Sequence, residues 1–219
     1  KLNVAGRMTI CNMAVEMGAK TAYMQPNADV LNYVDKRAVR PYEVQFTDPD
    51  FQYEESYVFD VSKIGPNLAC PSSVENVHAL SEVVAKGPVK LDQGYIGSCT
   101  GGRVEDIAIA AKILKGKHIP EYTRLVIVPA SNEVMQECMK AGYIQDLMEA
   151  GATITTPGCG ACLGAHEGIL APGEVCITGT NRNFPGRMGS TEALMYLASP
   201  ATVAASMVNG YITDPRDFL

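Results

Sequence analysis

Apolar positions along the chain follow two rhythms. Over residues 104–114 (VEDIAIAAKIL) they recur every three or four residues, which lines them along one face of a helix. The same spacing predicts a long helix over 132–149, with apolar residues at 134, 135, 138, 139, 143, 144, 147 and 148 and Gly151 closing it. Shorter helical patterns cover 7–19, with Thr9 as N-cap and Gly18 as stop, and 28–39, ahead of Pro41. Helix is also predicted over 73–86 and over 191–209, the latter interrupted at Ser199 and Pro200. Short apolar runs at 94–98, 124–130, 153–156 and 175–179 read as buried strands. Between 42 and 61 the period changes to two. Tyr42, Val44 and Phe46, then Tyr57, Phe59 and Val61, alternate around a Thr47-Asp48-Pro49-Asp50 turn, which predicts an antiparallel pair with one wet face.

Strands of about five residues alternating with helices imply an α/β fold, a mainly parallel sheet covered by helices on both faces. Residues 63–73, KIGPNLACPSS, show no period and are rich in Pro, Ser and Gly. They mark a boundary between a partial α/β domain, 1–66, and an α/β domain over 67–219. In such sheets functional groups gather on loops at the carboxyl ends of strands. Cys99, Cys159 and the loop from Arg182 to Arg187 each follow a predicted strand.

Composition narrows the class. At 219 residues, 47% hydrophobic and 19% charged, the chain has ordinary globular composition. No apolar run reaches the roughly 20 residues of a membrane helix. The start, KLNVAGRMTICNM, lacks the pattern of a signal peptide, so a cytoplasmic protein is expected. A first residue other than Met is what a fragment or a processed chain would show. A net charge of −6 disfavours non-specific nucleic-acid binding. Seven cysteines, an odd number, point to metal or catalytic use rather than a disulfide framework. Cys11, Cys70, Cys138 and Cys176 have structural explanations as core or loop residues.

The chemistry concentrates in 155–187, TTPGCGACLGAHEGILAPGEVCITGTNRNFPGR. Cys159 and Cys162 form a Cys-x-x-Cys pair among Gly158, Gly160 and Gly164, whose backbones can bend two thiols toward one ion. A thioredoxin-like redox site lacks its surrounding pattern here. Zinc would need a fourth ligand, and Cys99 with His166 would complete a Cys₃His set. An iron–sulfur cube needs only three thiolates and leaves one iron open. Arg182 and Arg187 flank a Pro185-Gly186 turn, and two guanidiniums suit a di- or tricarboxylate. Asn12 and Glu16, four apart, share one face of the first predicted helix, which by spacing alone is a solvated stripe. The Gly-x-Gly at 158–160 lacks the third glycine of a dinucleotide fingerprint.

IGSCTGGRVEDI, PGCGACLG, LAPGEVC and TNRNFPGRMGS, in this order, resemble the aconitase superfamily, and within it the large subunits of 3-isopropylmalate dehydratases. RMTICNMAVEMGA and the tail YLASP…DPRDF fit the same family, so the resemblance spans essentially the whole chain. It implies an aconitase-like fold and a [4Fe–4S] cluster on Cys99, Cys159 and Cys162. Arg182 and Arg187 would hold substrate carboxylates, and Asn12, Glu16 and Asn181 would lie around the cluster and its bound water or hydroxyl. The implied activity is reversible dehydration of a hydroxy-dicarboxylate, foremost 3-isopropylmalate in leucine synthesis, with homoaconitate or 2,3-dimethylmalate as alternatives. The implied partner is a small subunit, a swivelling domain that brings the base. On this reading the chain is the carboxyl-terminal half of a large subunit, silent alone. Gly101 departs from the family, which usually has Asn there. The rivals from other classes are a zinc scaffold on Cys99, Cys159, Cys162 and His166, and an RNA-binding relative, which the acidic balance disfavours.

Overall fold

The chain, of which a computed structural model describes residues 2–219, folds as two units, Lys1–Ile64 and Gly65–Leu219. In the first unit Asn3, not Thr9, starts helix α1 (Val4–Met13), its side chain accepting from the Gly6 N–H at 2.8 Å. The helix tightens to a 3₁₀ turn at Ala14–Met17, and Gly18 ends it in the left-handed region at φ +78°. Asn12 therefore lies in α-helix and Glu16 in the 3₁₀ turn, and the four-residue face predicted for them is broken at the junction. Asn27 caps α2 (Ala28–Asp35), which stops four residues short of the predicted end.

The predicted strand pair over 42–61 does not form. No ladder joins these residues, and Tyr57, Val58, Phe59 and Val61 are each more than 70% exposed. Alternation makes a strand only where one face can be buried. None of the described residues of this unit is buried, so the apolar face has nothing of its own to pack against.

The second unit is built on a seven-stranded sheet: β1 (Asn67–Ala69), β2 (Val77–Ala79), β3 (Gln93–Gly97), β4 (Arg124–Val128), β5 (Thr153–Ile154), β6 (Val175–Thr178) and β7 (Leu194–Leu197). Their order is β2-β1-β7-β6-β3-β4-β5. The run from β7 to β5 is parallel, and β1 and β2 extend it antiparallel. One face packs on helices α3 (Leu80–Ala85), α5 (Val104–Leu114), α6 (Asn132–Lys140), α7 (Tyr143–Glu149) and α8 (Pro200–Asn209). Ile96, Leu125, Ile127 and Ile177 of the sheet meet Ile107, Ile113, Leu147 and Val203 there, all at most 1% exposed. Each such side chain contributes about 1.5–3 kcal/mol relative to exposure. The alternate residues, Tyr95, Val126, Val128, Cys176 and Met195, form the other face. It is covered by a turn-rich segment that brings Ala161, Cys162, Leu170 and Met188 onto it.

Three predicted helices are revised. The first half of 73–86 is not helical: 73–76 turn, and Val77–Ala79 is a strand paired with Asn67–Ala69 before α3 begins. Gly142, at φ +80°, breaks 132–149 into α6 and α7. Within 191–209, Leu194–Leu197 is a strand beside β6, and α8 starts only at Pro200, capped by the Ser199 side chain. Among the described residues no helix is long and apolar enough to cross a membrane.

Candidate functional site

The parallel strands deliver their following loops to one end of the sheet. β3 runs directly into a short helical turn, α4 (Ser98–Gly101), which carries the exposed Cys99. Ser98 makes that step buried and at φ +65°, a conformation rare for a side-chain-bearing residue, and its Oγ has no hydrogen-bond partner among the described residues. Arg103 Nε donates to the Cys99 carbonyl at 3.1 Å, tying the turn to the start of α5. The loop after β6 begins beside this turn, since the Gly179 N–H donates to the Tyr95 carbonyl at 2.9 Å. A Cβ built on Gly101 would lie 2.3 Å from the Gly179 carbonyl oxygen. The asparagine side chain of the resembled family therefore has no room here.

After β5 the chain turns through the exposed Cys159 into a 3₁₀ helix, Gly160–Leu163, that buries Cys162. The Cys159 carbonyl accepts from the Cys162 N–H at 3.0 Å and from Tyr95 Oη at 2.7 Å. Burial, then the neighbouring charges of Cys162, Cys159 and Glu167, holds the Tyr95 hydroxyl well above the usual phenol range. Cys162 Sγ lies 4.0 Å from Asn181 Oδ1 and 3.8 Å from Arg187 Nη2. The Arg187 Nε is buried without a hydrogen-bond partner among the described residues. Asn183 anchors this loop to the sheet, its buried amide donating to the Cys70 carbonyl at 2.9 Å and to the Met195 carbonyl at 3.3 Å.

Cys162, Asn181 and Arg187 thus meet directly. Cys159 joins them through its turn, and Cys99 and the half-buried Arg182 stand on the loops that flank it. His166 is half exposed, with Nδ1 3.5 Å from Glu167 Oε2. Asn12 and Glu16 belong to the first unit. Among the described residues no three His, Cys, Asp or Glu side chains gather as a group ready to hold a metal ion. The donor chemistry of the loops is nonetheless soft: three thiols, one of them beside a guanidinium, suit iron–sulfur or zinc rather than calcium or magnesium.

Sequence reasoning passed over the residues that hold these loops. Tyr95 was only one more apolar position in a strand. Gln93, also on β3, is buried, donates to the Gly168 carbonyl at 2.8 Å and accepts from Arg124 Nε at 3.0 Å. Arg124 in turn pairs with Glu174 at 2.8 Å, fixing the segment that leads into β6. Asp106, in the first turn of α5, accepts from the Arg103 N–H at 3.0 Å, and burial pushes its carboxyl up to about 6. A folded-state value raised above the unfolded 3.8 means the contribution is complete below about pH 4 and is withdrawn as pH rises through 6. Asp106→Asn should therefore gain on the native chain between pH 4 and 7. The expected gain is on the order of 1–2 kcal/mol after discounting for solvent screening, read from urea unfolding at the two pH values.

Comparison with known proteins places the chain. The aconitase family (aconitate hydratase) model matches residues 1–210. A "Probable methanogen homoaconitase large subunit" of Methanosarcina mazei is 50% identical over 216 residues, 99% of this chain and 54% of that protein. The "3-isopropylmalate dehydratase large subunit 1" of Methanopyrus kandleri is 49% identical over 222 residues, 100% of this chain and 52% of that protein. The homoaconitase large subunit of Thermus thermophilus is 44% identical over 211 residues, 96% of this chain and 49% of that protein. The chain belongs to the aconitase family, and it spans about half the length of the curated relatives it matches.

Proposed function

We propose that this aconitase-family chain supplies the cluster-holding and carboxylate-binding part of a hydro-lyase that interconverts hydroxy-dicarboxylates by dehydration and rehydration. The observation that carries the reading is the meeting of Cys162 with Asn181 and Arg187 at the carboxyl end of a parallel sheet, with Cys159 and Cys99 on the adjoining turns. Cys99, Cys159 and Cys162 would hold a [4Fe–4S] cluster. When bound, such a cluster supplies Lewis acidity toward a leaving hydroxyl at an iron that has no thiolate. Arg182 and Arg187 would grip the substrate carboxylates in paired hydrogen bonds and so orient the carbon that loses its proton. Asn181 would stand beside the hydroxyl, and the roles of Asn12 and Glu16 are those the family resemblance implies. A base on a small-subunit partner would take the proton from the carbon next to the hydroxyl-bearing one. This step yields water and an unsaturated dicarboxylate, and rehydration at the neighbouring carbon completes the interconversion, as between 3-isopropylmalate and 2-isopropylmalate.

The leading substrate is 3-isopropylmalate, which would place the enzyme in leucine synthesis in the cytoplasm. Homoaconitate is the second reading, favoured by relatives that carry that name at similar identity. The test is turnover of each acid by the chain reassembled with the rest of a large subunit and a small subunit: loss of water from 3-isopropylmalate to the unsaturated dicarboxylate, and addition of water across the double bond that homoaconitate already carries. In that enzyme Arg182→Lys is expected to raise KM about 10- to 100-fold while leaving kcat within a few-fold, because one ammonium cannot reproduce the paired hydrogen bonds. An unchanged KM would remove Arg182 from the carboxylate site.

A further inference from the structure

We infer that Tyr95 is the positioning residue of the three loops, holding the Cys159–Cys162 turn on the end of the sheet through its hydroxyl. The inference rests on the cluster reading above and adds to it a residue outside the family motif. One residue binds two of the loops and lies on the strand that runs into the third. The Tyr95 hydroxyl donates to the Cys159 carbonyl at 2.7 Å. Its own carbonyl accepts from Gly179, where the arginine loop begins, at 2.9 Å. Its strand ends at Gly97, directly before the turn that carries Ser98 and Cys99. The ring is fully buried among Val126, Val128, Ala161 and Cys162, so the hydroxyl has little freedom to seek another partner.

The turn is fitted to that hydroxyl. Gly160 adopts φ +50°, and a Cβ there would lie 2.8 Å from Tyr95 Oη and 2.9 Å from Val128 Cγ2. The Cys159 carbonyl then takes two donors: the Cys162 N–H closes the turn, and Tyr95 ties it down. Removing the hydroxyl leaves the turn closed on itself and takes away a tie to the sheet, while the Gly158 N–H to the Pro129 carbonyl, at 3.0 Å, remains. Cys162 should then open to solvent locally, without loss of the helical face of the sheet.

Tyr95→Phe in the 219-residue chain tests this with two readouts. In the cluster-free protein, iodoacetamide should alkylate Cys162 about fivefold faster than in the native chain, the effect of roughly one net hydrogen bond. Cys138, buried in the helical layer, serves as the control and should be unchanged. After anaerobic reconstitution, the variant should lose its visible absorbance in air about fivefold faster and, once reduced with dithionite, show a shifted electron paramagnetic resonance signal. An unchanged Cys162 rate, or an equal rise at Cys138, overturns the positioning role. Failure of the native chain to take up iron and sulfide would instead sink the cluster reading, while the alkylation comparison still decides the role of Tyr95. If Tyr95→Phe does not fold, Gly160→Ala disturbs the same contact from the turn side and is judged by the same two cysteines.

Discussion

The 219-residue chain alone is expected to form no unsaturated dicarboxylate from 3-isopropylmalate, and the reassembled enzyme is expected to form it readily. The chain offers thiols at the ends of β3 and β5 and an arginine pair after β6, all of which bind and orient. Among the described residues it offers no histidine placed to act as the base. His78 sits on the edge strand β2 beside Asn76, and His118 lies in the connection entering the amino end of β4, opposite the cysteine loops. His166 shares its loop with the cysteines, but its Nδ1 faces Glu167. A positioned acid or base contributes about 10²- to 10⁴-fold, and without one the residual rate should fall by at least that factor. Following product absorbance with and without the added parts measures it. Full turnover by the isolated chain would mean that the base lies within these residues.

Gly101→Asn, which restores the residue usual in the family, is expected to weaken the chain rather than improve it. Gly101 and the Gly179 carbonyl are in contact, and a Cβ at 2.3 Å from that oxygen and 2.9 Å from its carbon cannot be accommodated by a side-chain rotation. One backbone segment has to move. Overpacking of this kind costs about 1–3 kcal/mol. For a chain of this size that corresponds to a fall in Tm of roughly 2–12 °C. The displacement would fall between the Cys99 turn and the loop that carries Asn181 and Arg182, so cluster uptake should drop together with stability. An unchanged Tm with full uptake would show that the two turns have room to part.

How much of this was readable beforehand depended on whether one local signal decided each element. The 104–114 helix and the strand in β4 carry strong periodicity, and both form close to where the spacing puts them. The placement of Cys99, Cys159 and the arginine loop after strands also follows, because the parallel alternation fixes which end each loop occupies. The misreadings share a cause: their outcome is set by distant partners. Leu194–Leu197 reads as helix until β6 and β1 are available on either side of it, and Val77–Ala79 until β1 pairs with it. Tyr42 to Val61 alternates as a strand should, yet has no surface within its unit to cover. Around the candidate site the chemistry-bearing residues were legible as motifs. Tyr95, Gln93 and Asn183 were not, since a polar group buried by the fold looks in sequence like any other strand or loop position.

The most direct test of the central claim is anaerobic reconstitution of the chain followed by metal and sulfide analysis. The account predicts iron with acid-labile sulfide and a broad visible absorbance, with Cys159→Ser abolishing both uptake and colour, because two thiolates cannot hold a cube that needs three. Stoichiometric zinc without sulfide, lost on His166→Ala, would contradict it and establish the structural-metal reading in its place.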